Sequence, residues 1–395
     1  MPDKKPTFPH DPTDEEAGFE INDEFELFPQ KNEMFRRSWW DPTIRNEKTE
    51  AFYRSHSEPV TIHRHAYGYQ QKDYALRNAA WHLSDVLTDA HRQAGRREGF
   101  TDVFTFMRDV SPRQADLGTP EEAARQVKKA ARALGAALVG ITHYDERWQY
   151  KSRYHDGGPD EELPPEIPPG LDHVIVVAVP MPYDMMKTTP SALGSAAAGV
   201  GYSLDAALLI SLAQFIRDLG YRAIPSMNDT APSIPYAIKA GLGEYGRNGL
   251  LITQEFGPRV RLGKVYTDMS LAHDHPVRFG VYEFCRICKR CAESCPARAL
   301  PMGEPTFRIN NISNRKGVKK WSVDAERCFA FWAAQSTDCA TCIRSCPYNK
   351  DYSKWWHRLA RTLAGTKLRR LVFAMDTYLG YGRRLRPDLW WEGKE

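Results

Sequence analysis

The cysteines constrain this chain more than any other feature of its sequence. All eight lie between residues 285 and 346 of a 395-residue chain, and the first 284 residues contain none. Cysteines confined to one short stretch are typical of metal binding, whereas the disulfides of secreted proteins are more widely spread. The distribution therefore predicts one metal-binding module towards the C-terminal end of the chain.

The cysteines form two runs with the spacing of a bacterial two-cluster ferredoxin. The runs are Cys285-x2-Cys288-x2-Cys291-x3-Cys295-Pro296 and Cys328-x10-Cys339-x2-Cys342-x3-Cys346-Pro347. In such ferredoxins the fourth cysteine of each run ligates the other cluster, and paired runs of this kind are not typical of zinc sites. We therefore predict two [4Fe–4S] clusters, one held by Cys285, Cys288, Cys291 and Cys346, and the other by Cys295, Cys328, Cys339 and Cys342.

The second run departs from a plain ferredoxin in its first gap, which is ten residues long and aromatic. Residues 329–338 read FAFWAAQSTD. As a loop, this segment could shield a cluster or line a neighbouring pocket. Ordinary packing of its aromatic side chains explains the same composition, and the sequence leaves both interpretations open.

The residues before the first cysteine have the pattern of an α/β body. Periodicity and capping signals predict helices at Asp73–His91, Pro120–Leu134, Ser203–Leu219 and Ile234–Ala240. Apolar, β-branched runs predict strands at Ala137–Thr142, His173–Pro180, Tyr221–Ser226, Leu250–Thr253 and Val260–Thr267. Residues 1–60 show little periodicity and are expected to be irregular, either wrapping over the folded body or partly disordered.

These patterns divide the chain into four predicted regions. They are an N-terminal wrapping and helical region (1–115), an α/β core (116–275), a ferredoxin-like module (276–351) and a C-terminal helical tail (352–395). The fold class expected is α/β, with some α+β character, because helices and strands alternate before the cysteines.

Charge and apolar runs indicate a cytoplasmic protein. The formal net charge of +4 is too small to indicate nucleic-acid binding by itself. The first twenty residues lack the apolar stretch of a secretory signal, and Arg36–Arg37 is followed by polar residues rather than by the apolar stretch of an export signal. No run reaches 18 apolar residues, so no membrane span is expected.

The size of the body favours an enzyme over an electron carrier. A ferredoxin needs only a short chain, so the clusters are expected to feed electrons to flavin, nicotinamide or cobalamin chemistry in the preceding residues. Residues 241–246 match G-x-G-x-x-G as a string. The match follows a predicted helix rather than a strand, which makes it weak evidence for a dinucleotide.

Two segments resemble the cobalamin-dependent reductive dehalogenases. They are Asn228–Leu271, followed by both cysteine runs, and Asp73–Trp81 (DYALRNAAW). The related epoxyqueuosine reductases share the D-T-A-P turn, the A-G-L-G motif and the L-G-x-x-x-T-D stretch. The resemblance implies a nitroreductase-like core that binds base-off cobalamin, and the chain indeed lacks the D-x-H-x-x-G signature of histidine-ligated cobalamin. It implies these cofactor-binding residues: Asp229, Thr230, Ala231, Gly241, Gly243, Tyr245, Gly246 and Arg247.

The resemblance also implies a catalytic set. Tyr202 is expected to donate a proton, with Lys264 as its basic partner, Arg261 as a substitute for that partner, and Asn228 beside the tyrosine. A neighbouring cation stabilises the phenolate that remains after proton transfer. Tyr202 as a helix-terminal tyrosine, Lys264 as a solvated strand-edge lysine, and Asp229 as a turn residue remain open alternatives.

The predicted function is reductive dehalogenation of an organohalide, with a haloaromatic such as a halophenol as the substrate implied by the resemblance. The expected electron donor is a separate ferredoxin or flavodoxin, and a homodimer is compatible with the sequence. The alternatives are an epoxyqueuosine reductase-like enzyme with Asp229 as its acid, and a non-catalytic electron carrier. The first alternative requires a basic RNA-binding face, for which the candidates are Arg315–Lys320 and Arg383–Arg386.

Overall fold

A computed structural model describes residues 11–58, 65–93, 108–154, 162–164 and 167–393. Its helices, α1 to α15 in chain order, are Asp14–Ala17, Met34–Trp40, Glu47–Ser57, Gln71–Gln93, Pro120–Ala133, Tyr183–Lys187, Ala192–Asp218, Ser233–Lys239, Val281–Ile287, Arg290–Glu293, Ala325–Gln335, Thr341–Arg344, Trp355–Ala364, Arg369–Tyr378 and Pro387–Trp391. Its strands, β1 to β8, are Leu138–His143, Arg153–Tyr154, Glu162–Leu163, His173–Pro180, Ala223–Ser226, Glu244–Tyr245, Leu251–Ile252 and Val260–Thr267. Short 3₁₀ helices lie at Gln30–Asn32 and Glu146–Trp148.

Four strands form the central sheet in the order β1-β4-β8-β5, and every neighbouring pair is antiparallel. All four strands were predicted, and β4 and β8 have the predicted bounds. β4 is apolar at almost every position because helices cover both of its faces. The mixed α/β class is confirmed, while the nitroreductase-like character of the core stays a prediction.

The pleat of β4 sorts its side chains between two cores. Ile175, Val177 and Val179 pack with helices α5 and α7, whereas Val174 and Val176 pack with α8 on the opposite face. Residues in register across the sheet share a face, so β8 is sorted in the same way: Val265, opposite Ile175, joins the α7 side. This sorting decides which β8 side chains reach the site described below.

Helix α7 begins eleven residues before the predicted start at Ser203, because the small residues that precede Ser203 pack closely rather than form a loop. Gly199 approaches Trp81 of α4 so closely that a Cβ on it would lie 2.6 Å from the indole Cδ1. Among the described helices, α7 is the one long and apolar enough to cross a membrane, and 61% of its most apolar window is buried inside the protein.

The N-terminal region differs from its prediction. Residues 1–60 were expected to be irregular, but the described part contains α1, α2 and α3, with Thr13, Glu33 and Asn46 as N-caps. The expectation was wrong because these helices are too short for their periodicity to stand out. The FAFWAAQSTD segment is also mostly helical, as part of α11, and Phe329 packs against Phe52 at a centroid distance of 5.7 Å.

The two basic runs differ in exposure. Arg315 is 7% exposed and donates to the carbonyl oxygen of Arg147, and Lys320 donates to the carbonyl oxygen of Arg315 at 3.1 Å. Burial lowers the pKa of Lys320 to about 8. Two of the basic side chains in the Arg315–Lys320 run are therefore directed into the fold, whereas Arg383–Arg386 is largely exposed.

Candidate active site

The cysteines sort into two groups of neighbours. Burial raises the pKa of Cys346, and repulsion from the thiols of Cys285, Cys288 and Cys291 adds to that rise. These four are therefore close together, although Cys346 belongs to the second run.

The other four cysteines are neighbours in the same sense. Burial raises the pKa of Cys342, and repulsion from Cys339, Cys328 and Cys295 follows. Cys342 also lies near Cys346, so these proximities are consistent with the exchange of the fourth cysteine between the runs, and the two ligand sets stay a prediction.

The spacing of the thiols fits clusters better than single metal ions. A tetrahedral zinc site with Zn–S bonds of about 2.3 Å places its sulfurs about 3.8 Å apart. Across the described ranges, one group of three or more ligand atoms lies within 4.8 Å of one another, and it contains no cysteine. The eight thiols, none of them in a disulfide, are thus arranged to hold larger objects such as cubane clusters.

Tyr202 is the centre of a second group of side chains. Its phenolic oxygen accepts a hydrogen bond from Arg261 Nη1 at 2.9 Å and one from Asn228 Nδ2 at 3.0 Å. Trp81 stacks on the Tyr202 ring at 4.7 Å, and the Arg261 guanidinium lies 4.6 Å from the ring centroid. Two donors, one of them cationic, are thus directed at the atom that would carry charge as a phenolate.

A glycine allows this close approach. A Cβ on Gly201 would lie 2.6 Å from Arg261 Cγ and 3.1 Å from Met181 Cγ. Gly201 precedes Tyr202 in α7, so the absence of a side chain there lets the arginine lie against the helix and reach the hydroxyl.

Lys264 does not reach Tyr202 but supports the turn that carries Asn228. Its ammonium donates to the carbonyl oxygens of Met227 and, at 3.2 Å, Ala231, and to Ser233 Oγ at 2.8 Å. It is fully buried, and burial lowers its pKa to about 8, against the opposing effect of Asp229 and Asp205. Arg261 rather than Lys264 is therefore the cation beside the phenol.

Asp229 is also a buried member of this turn. Its Oδ1 accepts hydrogen bonds from the Met227 amide at 2.7 Å and from Ser226 Oγ at 3.0 Å. Burial raises the pKa of Asp229 to about 6, and Lys264 opposes the rise. Both donors precede Asp229 in the chain, so these bonds are not those of an Asx turn or an N-cap, and among the described hydrogen bonds none joins the carboxyl to Tyr202.

Asp205 and Trp81 belong to the site although no sequence pattern singled them out. Asp205 lies one turn after Tyr202 on α7 and is 1% exposed, and neither of its carboxylate oxygens has a hydrogen-bond partner in the described part of the chain. A lone acid within the apolar run of α7 was the available signal. Trp81 was quoted within a motif, but nothing in its spacing indicated a stack on Tyr202.

The buried carboxyl of Asp205 predicts a pH-dependent stability difference. Burial raises the pKa of Asp205 to about 7, while Lys264 and Arg261 oppose the rise. An unfolded aspartate ionises near pH 4, so folding takes up a proton between about pH 4 and 7, and stability falls as the pH rises through this window. Asp205→Asn cannot ionise, so its stability relative to wild type should rise by about 1–3 kcal/mol between pH 5 and pH 8. Thermal midpoints at the two pH values measure this difference, and an unchanged difference would contradict it.

The other residues that the resemblance assigned to the cofactor lie in two places, the turn at Asp229 and the segment of residues 241–247. Thr230 and Ala231 are buried in the turn beside Asp229. A Cβ on Gly241 would lie 2.5 Å from the carbonyl oxygen of His275, and one on Gly243 would lie 2.2 Å from that of Ile252. Gly246 and Tyr245 lie near β7, where the tyrosine hydroxyl donates to the Trp321 carbonyl oxygen at 3.2 Å.

Arg247 is used within the iron–sulfur module. It donates to the carbonyl oxygens of Cys285, Pro301 and Gly303 at 3.0, 2.8 and 2.7 Å. Its buried guanidinium thereby anchors the first cysteine run to the body. The assignment of these residues to a corrinoid stays a prediction.

A shared apolar cluster connects Tyr202 with the second group of thiols. Its buried members include Trp81, Met181, Met186 and Ile343, and both Tyr202 and Cys342 pack against it. Buried polar atoms without hydrogen-bond partners among the described residues include Asn248 Nδ2, Thr337 Oγ1, Arg344 Nε and Ser345 Oγ. Unpaired buried donors and acceptors of this kind fit a bound group with amide side chains, such as a corrinoid.

Comparisons with known proteins agree with this arrangement. Residues 163–271 match the family described as the reductive dehalogenase subunit, and residues 284–349 match a 4Fe-4S double cluster binding domain. The tetrachloroethene reductive dehalogenase of Dehalobacter restrictus is 40% identical over 306 residues, which cover 68% of this chain and 55% of the relative. The chain belongs to the reductive dehalogenase family.

A second dehalogenase and a more distant reductase are also similar to this chain. The tetrachloroethene reductive dehalogenase of Sulfurospirillum multivorans is 36% identical over 308 residues, covering 71% of this chain and 61% of that protein. The chain thus spans little more than half the length of these curated relatives. An epoxyqueuosine reductase of Gloeobacter violaceus is 28% identical over 279 residues, 59% of this chain and 78% of the relative.

Two solved structures of reductive dehalogenases share the fold of this chain. One is a reductive dehalogenase whose structure is described as suggesting a mechanism for B12-dependent dehalogenation. Its superposition on this chain has a TM-score of 0.72 at 21% sequence identity and covers 93% of this chain and 48% of the other. The catabolic reductive dehalogenase NpRdhA in complex with 3-bromo-4-hydroxybenzoic acid has a TM-score of 0.73 and 22% sequence identity, and the match covers 92% of this chain and 48% of NpRdhA. The family uses cobalamin and two [4Fe–4S] clusters.

Proposed function

We propose that this chain is a cobalamin- and iron–sulfur-dependent reductive dehalogenase in which Tyr202 donates the proton. The observation that carries the proposal is the pair of hydrogen bonds from Arg261 and Asn228 to the phenolic oxygen of Tyr202. Replacing halogen by hydrogen requires electrons and a proton at the same carbon. In this proposal the clusters held by the two sets of four cysteines supply the electrons, and Tyr202 supplies the proton.

The residues around Tyr202 have separate tasks in this proposal. Arg261 and Asn228 hold the phenolic oxygen and stabilise the phenolate that forms as the proton leaves. Trp81 fixes the plane of the ring by stacking, and the methionines near it keep the site apolar. Lys264 is a positioning residue, because it holds the turn that presents Asn228.

The corrinoid is proposed to lie between Tyr202 and the cluster held by Cys342. The support is the apolar cluster that both residues pack against, together with the unpartnered polar atoms of Asn248, Thr337 and Ser345. Bound cobalamin supplies a low-valent cobalt centre that can reduce a carbon–halogen bond. This chain's own residues hold and deliver the proton.

A chlorinated ethene is the first substrate to test. The tetrachloroethene enzymes share 36–40% identity with this chain, whereas the structure with bound 3-bromo-4-hydroxybenzoic acid shares 22%. The apolar surroundings of Tyr202 also suit a small apolar molecule. A haloaromatic, as the sequence analysis predicted, is the second candidate. A cytoplasmic location and a ferredoxin- or flavodoxin-type electron donor belong to the same proposal.

The test is halide release by protein loaded with both clusters and cobalamin under a strong reductant, with tetrachloroethene and a bromophenol as substrates. Arg261→Met should lower the rate by about 10²–10³-fold, because the cationic donor to the developing phenolate is lost. Lys264→Met should instead lower the thermal midpoint, because the buried acceptors of its ammonium lose their donor. Per chain that holds both clusters and cobalamin, it should lose less activity than Arg261→Met.

The two variants are matched because each removes one cation from β8. A larger rate loss in Lys264→Met than in Arg261→Met, at equal cluster and cobalamin content, would reassign the partner of Tyr202. No halide from either substrate by fully loaded wild type would overturn the proposed function.

A further inference from the structure

Three potential metal ligands from distant parts of the chain meet at one end of the central sheet. They are Asp11, which lies just before α1, His143 at the end of β1, and His273 after β8. One ligand atom from each lies within 4.8 Å of the other two. Nothing in the proposed dehalogenation uses these residues, and no family match described above assigns them a role.

The site is separate from Tyr202. His143 and His173 are paired at one end of β1 and β4, whereas Arg261 pairs with Val179 near the other end of β4. Six residues of strand, at about 3.4 Å each, place the two sites about 20 Å apart. Loss of this site would therefore leave the contacts of Tyr202 in place.

His273 is already oriented as a metal ligand would be. Its Nδ1 lies 2.6 Å from Asp11 Oδ1, and its Nε2 lies 2.9 Å from His173 Nδ1. Histidines that bind metals usually engage the second ring nitrogen in a hydrogen bond, which fixes the tautomer and the ring plane. Here Nε2–H can donate to His173, which leaves Nδ1 for a metal ion shared with Asp11.

His143 supplies an unused ligand atom. Its Nδ1 is buried and has no hydrogen-bond partner within the described ranges, while its Nε2 lies 3.5 Å from Lys239 Nζ. The lysine charge is offset, because Lys239 pairs with both Asp14 and Asp145 at 3.1 Å. His143 thus combines a buried ring nitrogen that lacks a partner among the described residues with a ligand atom within 4.8 Å of Asp11, which points to a missing ligand rather than to a packed core histidine.

We propose that Asp11, His143 and His273 bind a zinc-class divalent transition-metal ion, with water in the remaining position and His173 as the supporting hydrogen-bond partner. Two imidazoles and one carboxylate are an established zinc set, with ligand bonds of about 2.0–2.2 Å. Such bonds separate the ligand atoms by about 3.3 Å, so the Asp11–His273 contact has to open by less than about 1 Å. The ion would bind the segment before α1, through Asp11, to the end of the central sheet, through His143.

The experiment is equilibrium dialysis of the cluster-loaded chain against Zn²⁺, with zinc and iron measured in the same samples. Wild type should bind about one tightly held zinc ion per chain, and His143→Ala and Asp11→Asn should each weaken it at least about tenfold. His275→Ala is the matched control: it lies two residues from His273, is largely exposed, pairs with Glu16 at 3.3 Å and should bind as wild type does.

The iron content reports whether each variant is folded. Asp11 lies outside the sheet, so Asp11→Asn carries the test if His143→Ala fails to fold. Zinc binding should also raise the thermal midpoint of wild type and of His275→Ala but not of Asp11→Asn. Equal zinc in wild type and Asp11→Asn, or loss of zinc in His275→Ala alone, would overturn the site. The outcome does not depend on whether the chain dehalogenates any substrate.

Discussion

Tyr202→Phe should lower the rate of halide release by about 10²–10⁴-fold, the usual range for loss of a positioned general acid. The substitution removes one oxygen atom and keeps the ring that stacks on Trp81 at 4.7 Å. Arg261 Nη1 and Asn228 Nδ2 lose their shared acceptor, but both lie near the surface of the site and can turn to water. The fold and both clusters should therefore be retained.

The measurement is single-turnover halide release at equal cluster and cobalamin content. Tyr221→Phe is the matched control, because it also deletes a hydroxyl with a hydrogen bond, to the Ala115 carbonyl oxygen at 3.1 Å, yet lies away from the site. It should retain the wild-type rate within a small factor. Normal turnover by Tyr202→Phe would remove the proposed proton donor and leave the family membership untouched.

Cys346→Ser and Cys295→Ser should each destroy a different cluster from the one that their position along the chain suggests. The thiol of Cys346 neighbours Cys285, Cys288 and Cys291, so its loss should remove the cluster of the first run. The thiol of Cys295 neighbours Cys328, Cys339 and Cys342, so its loss should remove the cluster of the second run. Each variant should lose about half of its iron and essentially all steady-state halide release.

Electron paramagnetic resonance of the reduced proteins distinguishes the two remaining clusters. The spectrum of Cys346→Ser should contain only the signals that Cys328→Ser abolishes, which are those of the cluster held by Cys295, Cys328, Cys339 and Cys342. Cys288→Ser is the control for Cys346→Ser, since both should leave the same cluster. If Cys346→Ser instead resembled Cys342→Ser, each run would hold its own cluster and the exchange would be wrong.

The sequence predicted those features that depend on neighbours along the chain. Short gaps between thiols define a cluster module wherever it lies, and the strand His173–Pro180 is evident because burial on both faces requires an unbroken apolar run. The helices of residues 14–57 and the helical start of α7 were missed. Their segments are short or rich in small residues, and α2 and α3 pack against α11 while α7 packs against α4, so tertiary contacts rather than their own periodicity define them.

The choice between Arg261 and Lys264 shows what only the tertiary structure decided. The two residues are three positions apart on β8, so their side chains lie on opposite faces of the sheet, and α7 covers only one of them. Arg261 pairs with Val179 on the α7 side and meets Tyr202, whereas Lys264 pairs with Val176 and supports the turn on the other side.

The double-cluster module, by contrast, was predicted correctly from the sequence, because the spacing of its cysteines is a local property of the chain. Which cation stands beside the phenol, and that Asp205 lies buried behind it, depend on which helix packs on which face of the sheet. That pairing joins residues far apart in the chain, and no local pattern records it.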